Sequence, residues 1–196
     1  MRVVGGIARG RTLVAPPGAR TRPTSDRVRE AIFNALYSRG GVEGATVADL
    51  FAGSGALGIE ALSRGAVHAT FVDRDRSARH AIRRNLDACG FGDRATVVAA
   101  PVERWLGGLG DEARFDVVFC DPPYAFEAWP DLLVALPAEL VVIEAAAPVA
   151  LAEGWSIARS ARYGGTWVGF AVPPAVPPAD SPADPSGDPP GGHGER

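Results

Sequence analysis

Apolar runs of strand length alternate with stretches of helical periodicity through the middle of this 196-residue chain, and this alternation constrains its fold most strongly. The runs that predict strands are residues 46–51, 69–73, 95–99, 115–120 and 139–144. The helices between them are predicted at residues 56–64, 76–89, 102–107 and 126–136. Strands separated by helical crossovers form a parallel sheet that is covered on both faces. We therefore predict a doubly wound, Rossmann-like α/β fold.

An N-terminal extension, residues 1–40, is predicted to precede this series. It contains two short apolar runs, 2–7 and 11–14, which predict a small β-hairpin around Arg9-Gly10. Apolar residues at helical spacing then predict one further helix, with Thr24 or Ser25 as its N-cap.

The main domain is predicted over residues 41–172. Its last two apolar runs, 155–162 and 166–172, predict an antiparallel hairpin that closes the sheet. Residues 173–196 are rich in Pro, Asp and Gly and have no periodicity, so this tail is predicted to be disordered.

Every one of the 20 basic residues is an arginine, and the chain has no lysine. This composition excludes a Schiff base, a phosphate loop that depends on lysine and a Tyr–Lys dehydrogenase pair. Residues 1–39 carry eight arginines against Asp26 and Glu30, whereas the remainder of the chain is acidic. A basic block on an acidic body predicts a local contact with a polyanion. Further arginines lie around one predicted helix and are interpreted as a solvated face: Arg74, Arg76, Arg79, Arg83 and Arg84.

Cysteines and histidines are few in this chain. Cys89 and Cys120 are predicted in a helix and a buried strand, and the three histidines are scattered. This distribution predicts a reduced, cytoplasmic environment with neither a disulfide nor a metal site. No apolar run reaches 18 residues, so we expect no membrane span.

A glycine-rich loop follows the first predicted strand of the main domain. Gly53, Gly55 and Gly58 match the spacing G-x-G-x-x-G, and Asp73 lies 20 residues beyond Gly53. Glycines at a helix N-terminus let the backbone approach a ligand, and an acid at the next strand end can bind ribose hydroxyls. The loop therefore predicts an adenosine-type cofactor, either NAD or S-adenosylmethionine. Asp49 inside the strand favours S-adenosylmethionine, since a carboxylate there can organise the loop and bind an ammonium group.

The tetrapeptide Asp121-Pro122-Pro123-Tyr124 ends the fourth predicted strand. Two consecutive prolines stop the strand and hold an extended turn, because neither can donate to a ladder. The turn presents a carboxylate, a carbonyl oxygen and an aromatic ring, which together suit a planar amino group. In a doubly wound sheet this strand is adjacent to the first, so both motifs are expected at one crevice.

These two motifs resemble those of class I amino-methyltransferases. A narrower resemblance, spanning residues 2–172, is to the bacterial small-subunit ribosomal RNA guanine-N2 methyltransferases. It is carried by Arg2-Val3-Val4-Gly5-Gly6 with Arg9-Gly10-Arg11, and by the block from Arg22 to Glu30. The stretches Glu60-Ala61-Leu62-Ser63-Arg64-Gly65 and Asn85-Leu86 fit the same family.

The resemblance implies a class I methyltransferase fold, S-adenosylmethionine as cofactor, and small-subunit ribosomal RNA or an assembling subunit as the partner of a monomer. The catalytic residues implied are Asp121, Pro122, Pro123 and Tyr124. The cofactor-binding residues expected are Thr24, Arg27, Asp49, Phe51, Ala52, Gly53, Ser54, Gly55, Asp73, Arg74, Val102 and Asp121. The RNA-binding arginines expected are Arg9, Arg11, Arg20 and Arg22. The resemblance also implies that the N-terminal hairpin and the block from Arg22 to Glu30 lie beside the cofactor and contact RNA.

One position departs from the family pattern. The resemblance implies Asp or Asn after the third strand, on the adenine amino group, where this chain has Pro101. The amide of Val102 is the alternative contact. Three other functions stay open: an adenine-N6 or protein-glutamine methyltransferase with the same turn, a non-catalytic RNA-binding assembly factor and, more distantly, an NAD oxidoreductase.

Overall fold

The structure is a computed structural model that describes residues 1–17, 25–123 and 125–175. Its strands are β1 (Thr46–Leu50), β2 (His68–Val72), β3 (Ala95–Val98), β4 (Phe115–Cys120), β5 (Ala138–Ala145), β6 (Ser156–Tyr163) and β7 (Thr166–Val172). Its helices are α1 (Asp26–Tyr37), α2 (Ala56–Ser63), α3 (Arg76–Cys89), α4 (Val102–Leu106) and α5 (Trp129–Ala135), with a 3-10 turn at Gly92–Arg94. The predicted α/β series is confirmed.

All seven strands form one sheet in the order β3-β2-β1-β4-β5-β7-β6. The first five strands are parallel, and β7 pairs antiparallel with both β5 and β6. This arrangement confirms both the predicted doubly wound sheet and the closing hairpin. Since β1 pairs with β4 on one side and with β2 on the other, the chain reverses its winding direction between β1 and β4.

Apolar side chains of the strands fill a core on each face of the sheet. Phe119 of β4 joins the cluster that includes α1, α2 and α3, whereas the next residue, Cys120, joins the cluster with α4 and α5. Because both faces are covered, the strands read as nearly continuous apolar runs in the sequence.

Two regions differ from the prediction by more than one residue at an element boundary. The proposed strands 2–7 and 11–14 reduce to one isolated antiparallel bridge between Arg2 and Thr12. This segment leaves the ladder because the amides of Val4, Gly5 and Ile7 bond to α2 instead. Helix α5 begins at Trp129, three residues after the predicted start, because the proline turn extends to Phe126, whose amide donates to the Pro123 carbonyl at 2.9 Å.

Of the two N-cap candidates for α1, Ser25 performs the role. Its hydroxyl accepts from the Val28 amide at 3.2 Å, and Thr24 lies outside the described residues. Most of the tail, 176–196, also lies outside the described residues, so its disorder stays a prediction. The domain boundary at residue 40 stays a prediction as well. No described helix is both long enough and apolar enough to span a membrane.

Candidate functional site at the carboxyl edge of the sheet

A cavity of about 560 Å³ opens at the carboxyl ends of the parallel strands. The glycine loop after β1 and the proline turn after β4 both line it, as do Asp73 after β2 and Pro101 after β3. The adjacency expected for the two motifs is therefore confirmed by the pairing of β1 with β4. The position is the switch point at which ligands bind in doubly wound sheets.

The backbone of the glycine loop is held in left-handed conformations. Phe51 has φ of 57°, and it alone among the described non-glycine residues has a positive φ. Gly53 follows with φ of 55°. A non-glycine residue in this region costs about 1–3 kcal/mol, which the surrounding structure must supply. The strain lies in a residue that lines the cavity.

Asp73 organises this loop. One of its carboxylate oxygens accepts from the Gly53 amide at 2.9 Å, and the other accepts from the Asp75 amide at 2.8 Å. A carboxylate oxygen has two lone pairs, so each retains one for a ligand. The acid expected on the ribose is thus also the residue that shapes the glycine turn.

The other two glycines of the motif serve the packing of α2 on the sheet. A Cβ on Gly58 would lie 2.4 Å from Cε1 of Phe71, and one on Gly55 would lie 3.2 Å from the same atom. Gly55 also has φ of 75° as the residue before α2. It is buried and does not line the cavity, so only part of the predicted cofactor loop reaches the ligand space.

Asp49 is a buried carboxylate beneath the loop, only 2% exposed. Its Oδ2 accepts from the Gly58 amide at 2.9 Å. Burial raises the pKa of Asp49 well above its ordinary value, against the opposing effect of the Gly58 bond, and the charges of Asp121 and Asp73 raise it further. Asp121 and Asp73 therefore place negative charge around Asp49 at the cavity, which favours a cationic ligand group.

The proline turn is joined to the glycine loop by aromatic rings. Asp121 and Pro123 line the cavity, whereas Pro122 is buried beside it. The Phe126 ring lies 5.5 Å from the Phe51 ring and 5.1 Å, edge-on, from that of Trp129. Such pairs add about 0.5–1.5 kcal/mol each beyond their buried area. These contacts hold the Asp121 turn in a constant position relative to the loop.

The structure brings most of the predicted cofactor residues together. Those that line the cavity are Asp49, Phe51, Ala52, Gly53, Ser54, Asp73, Arg74, Val102 and Asp121. Arg27 is exposed on α1 and is not among the lining residues, so the structure gives that prediction no support. Arg9 and Arg11 are exposed on the N-terminal turn. The remaining predicted residues lie outside the described ones: Arg20, Arg22, Thr24 and Tyr124.

The family model described as Conserved hypothetical protein 95 matches residues 1–171, and thus both motifs and the N-terminal extension. The chain belongs to this family. It is 46% identical over 125 residues to "Putative rRNA methyltransferase YlbH" of Bacillus subtilis and 42% identical over 124 residues to "Ribosomal RNA small subunit methyltransferase D" of Escherichia coli. Each match covers 63% of this chain, but 67% and 60% of those relatives' own lengths.

A solved structure of a family relative has the same architecture. The chain superposes on "Putative methyltransferase yhhF from Escherichia coli" with a TM-score of 0.77 and 33% identity, covering 90% of this chain and 99% of that one. The resemblance to bacterial small-subunit ribosomal RNA methyltransferases that the motifs predicted is confirmed by these matches.

The resemblance places the N-terminal extension beside the cofactor, and the structure shows which of its described residues line the cavity. Met1, Ala15, Pro16 and Pro17 line the cavity, facing the glycine loop and Asp73. The extension therefore forms part of the cavity wall, and Arg9 and Arg11 lie a few residues before Ala15 in the chain.

Buried polar side chains of the helices hold this extension, and sequence reasoning gave no role to two of them, Glu60 and Asn85. Glu60 is fully buried, and its carboxylate accepts from the Val4 and Gly5 amides, both at 2.7 Å. Asn85 is 1% exposed and bonds to Val14. The available signal was a polar residue at a core-facing position of each helix, since buried polar groups must be hydrogen-bonded.

A further missed residue is Glu144, a buried acid near the end of β5. Cys120 pairs with Ile143, so Glu144 is next to Asp121 at the carboxyl edge of neighbouring strands. Among the described residues, no group of three or more His, Cys, Asp or Glu side chains could hold a metal ion.

Pro101, the position that departs from the family pattern, also lies on the cavity wall. Pro101 is exposed, lines the cavity and is the residue before α4, while Val102 behind it is buried. Glu103 lines the same wall with an exposed carboxylate. The wall therefore offers an acceptor two residues beyond the position where the resemblance implies one.

Proposed function

We propose that this chain transfers a methyl group from S-adenosylmethionine to the exocyclic N2 amine of a guanine in small-subunit ribosomal RNA. The observation that carries the proposal is the convergence of the glycine loop, Asp73 and the Asp121 turn on one cavity. The names of the relatives support the same reaction class and RNA substrate.

The residues present fit this cofactor by charge and by space. Carboxylates of Asp49, Asp73 and Asp121 face one cavity, and S-adenosylmethionine carries both an ammonium and a sulfonium cation. We assign Asp49 and the Gly53-Ser54 backbone to the methionine part, Asp73 to the ribose and Glu103 to the adenine amino group. When bound, the cofactor supplies a methyl group on a sulfonium. The sulfur gives up this methyl group readily, because it leaves as a neutral thioether.

Asp121 performs the central chemical role in this proposal. The lone pair of an exocyclic amine is delocalised into the guanine ring, so the nitrogen is a poor nucleophile. Acceptance of its hydrogens by the Asp121 carboxylate and the Pro122 carbonyl allows the nitrogen to pyramidalise toward the methyl group. The carboxylate also stabilises positive charge that develops on nitrogen, and the fixed turn positions the base. Tyr124 is assigned to stacking on the flipped guanine.

The deciding experiment supplies labelled S-adenosylmethionine and unmodified small ribosomal subunits, and identifies the labelled nucleoside. We expect N2-methylguanosine. Label in N6-methyladenosine or in protein would support the other methyltransferases that share the turn. Cofactor binding without transfer to subunits or to free ribosomal RNA would favour another substrate, and absence of cofactor binding would favour the assembly factor.

Replacement of Asp49 by Asn is expected to weaken S-adenosylmethionine binding by about 10- to 100-fold, because a charge-assisted hydrogen bond contributes about 1.5–3 kcal/mol. The amide oxygen can still accept from Gly58. Isothermal titration calorimetry measures the change, with Asp131→Asn, an exposed position on α5, as the charge-matched control. Unchanged affinity would remove Asp49 from the ammonium site.

Asp49→Asn, although it weakens cofactor binding, is expected to raise the free energy of unfolding of the ligand-free protein. Because the folded-state pKa of Asp49 is raised, the wild-type free energy of unfolding falls as pH rises from about 4 through that pKa. Asp49→Asn removes this decline, so the ligand-free variant is expected to be the more stable at neutral pH. Urea unfolding across this range tests the sign, and parallel pH curves would contradict it.

Replacement of both Arg9 and Arg11 by Ala is expected to weaken RNA binding and to lower its salt dependence. Each lost phosphate contact reduces the slope of log K against log salt by about 0.7–0.9. Filter binding to small-subunit ribosomal RNA at several salt concentrations measures both quantities. Arg83→Ala with Arg84→Ala, on the exposed face of α3, is the matched control. An equal change in the control would exclude a specific role for the N-terminal turn.

A further inference from the structure

Asn85 of α3 hydrogen-bonds two segments that have different functions in the proposed reaction. Its Nδ2 donates to the Ser54 carbonyl at 2.8 Å and to the Val14 carbonyl at 2.9 Å. Its Oδ1 accepts from the Val14 amide at 2.8 Å. The side chain is 1% exposed, so these bonds are shielded from water.

On one side of Asn85 is the glycine loop. Ser54 lines the cavity, and its neighbour Gly53 is held by Asp73 at 2.9 Å. The Asn85 bond therefore orients a peptide unit of the loop that we assign to the methionine part of the cofactor.

On the other side is the N-terminal segment, residues 1–17. Val14 immediately precedes Ala15, Pro16 and Pro17, which line the same cavity. Arg9 and Arg11, the proposed phosphate contacts, lie a few residues earlier in the segment. Asn85 holds both backbone polar groups of Val14, as a neighbouring β-strand would.

We propose that Asn85 is the positioning residue that couples cofactor binding at the glycine loop to RNA binding by the N-terminal segment. A ligand that orders the loop also orders Val14 through this amide. The N-terminal segment then loses less conformational entropy when it binds RNA, so RNA binds more tightly. A second contact, from Ser54 Oγ to Met1 Sδ at 3.5 Å, adds little because a thioether is a weak acceptor. The inference rests on the proposed function.

The test measures the dissociation constant of protein-free small-subunit ribosomal RNA with and without saturating S-adenosylhomocysteine. For the wild-type chain we expect the ligand to tighten RNA binding by about fivefold or more, and RNA to tighten ligand binding by the same factor. In Asn85→Leu, which matches the side-chain shape without hydrogen bonds, we expect this ratio to fall within about twofold of one. Asn34→Leu, at an exposed position on α1, is expected to keep the wild-type ratio.

The ratio separates coupling from a purely structural role, because a structural defect weakens both affinities without changing it. Wild-type protein that binds the two ligands independently would overturn the inference, as would a wild-type ratio in Asn85→Leu. Neither result would alter the proposed methyl transfer, which fails only if N2-methylguanosine is absent from the transfer assay.

A measurement on the wild-type chain alone decides the matter if Asn85→Leu does not fold. The Val14 amide donates to Asn85, so S-adenosylhomocysteine is expected to slow its hydrogen exchange by about tenfold. An exchange rate that is the same with and without the ligand would overturn the proposal.

Discussion

Replacement of Asp121 by Ala is expected to lower kcat by about 10²- to 10³-fold, the usual cost of removing a preorganised group that stabilises transition-state charge. The dissociation constant for S-adenosylmethionine is expected to change by less than about threefold. The two effects separate because Asp121 acts on the amine, whereas the glycine loop and Asp73 bind the cofactor. Single-turnover transfer to small ribosomal subunits, with calorimetry of cofactor binding, measures both.

The control for this substitution is Glu127→Ala, which removes an exposed carboxylate a few residues further along the chain. It is expected to leave both quantities unchanged. Asp121→Asn preserves the shape of the side chain but lacks the charge, and we expect it to be nearly as slow as Asp121→Ala. Equal losses in rate and in cofactor affinity would contradict the role assigned to Asp121.

Replacement of Glu60 by Ala is expected to lower the free energy of unfolding by about 3 kcal/mol. The fully buried carboxylate accepts from Val4 and Gly5 at 2.7 Å and from Nε of Arg64 at 2.8 Å. Its removal leaves two amides and a partly buried guanidinium without their acceptor. Urea unfolding measures the loss, and Glu30→Ala, exposed on α1, is expected to stay within about 0.5 kcal/mol of wild type.

Glu60→Ala is also expected to weaken RNA binding more than cofactor binding. The residues it releases, Val4 and Gly5, adjoin the turn that carries Arg9 and Arg11, and they are remote in sequence from the glycine loop. Filter binding at one salt concentration, under conditions in which both the wild-type and the variant protein remain folded, tests this. A stability loss below about 1 kcal/mol would show that the N-terminal segment is held by other contacts.

The elements of the sheet were predictable because their signals are local. Helix α3 occupies residues 76–89 as predicted, since Asp75 caps its first turn and Gly90 ends it with φ of 72°. The adjacency of β1 and β4 followed from the rules for doubly wound sheets. Together the local signals and the pairing rule predict that the glycine loop and the Asp121 turn lie at one edge of the sheet.

The N-terminal hairpin was predicted incorrectly in extent for a reason that is not local. Residues 4–7 have the alternation and the glycines of a short strand, but Glu60 and Ser63 provide hydrogen-bond partners that replace the ladder. The spacing of the motif likewise cannot distinguish a glycine that approaches a ligand from one that approaches Phe71, and at Gly55 the structure shows the approach to Phe71.

The sequence by itself determined the succession of strands and helices and the two motifs, because each depends on residues within a few positions of one another. The edge at which the motifs meet then followed from the strand order of doubly wound sheets. Only the tertiary structure decided which residues of the N-terminal segment line the cavity and that Glu60 and Asn85 help to hold the segment there. Those hydrogen bonds join residues 55 to 71 positions apart. Tertiary packing determines which buried donors and acceptors become partners, and no local pattern in the chain specifies these pairs.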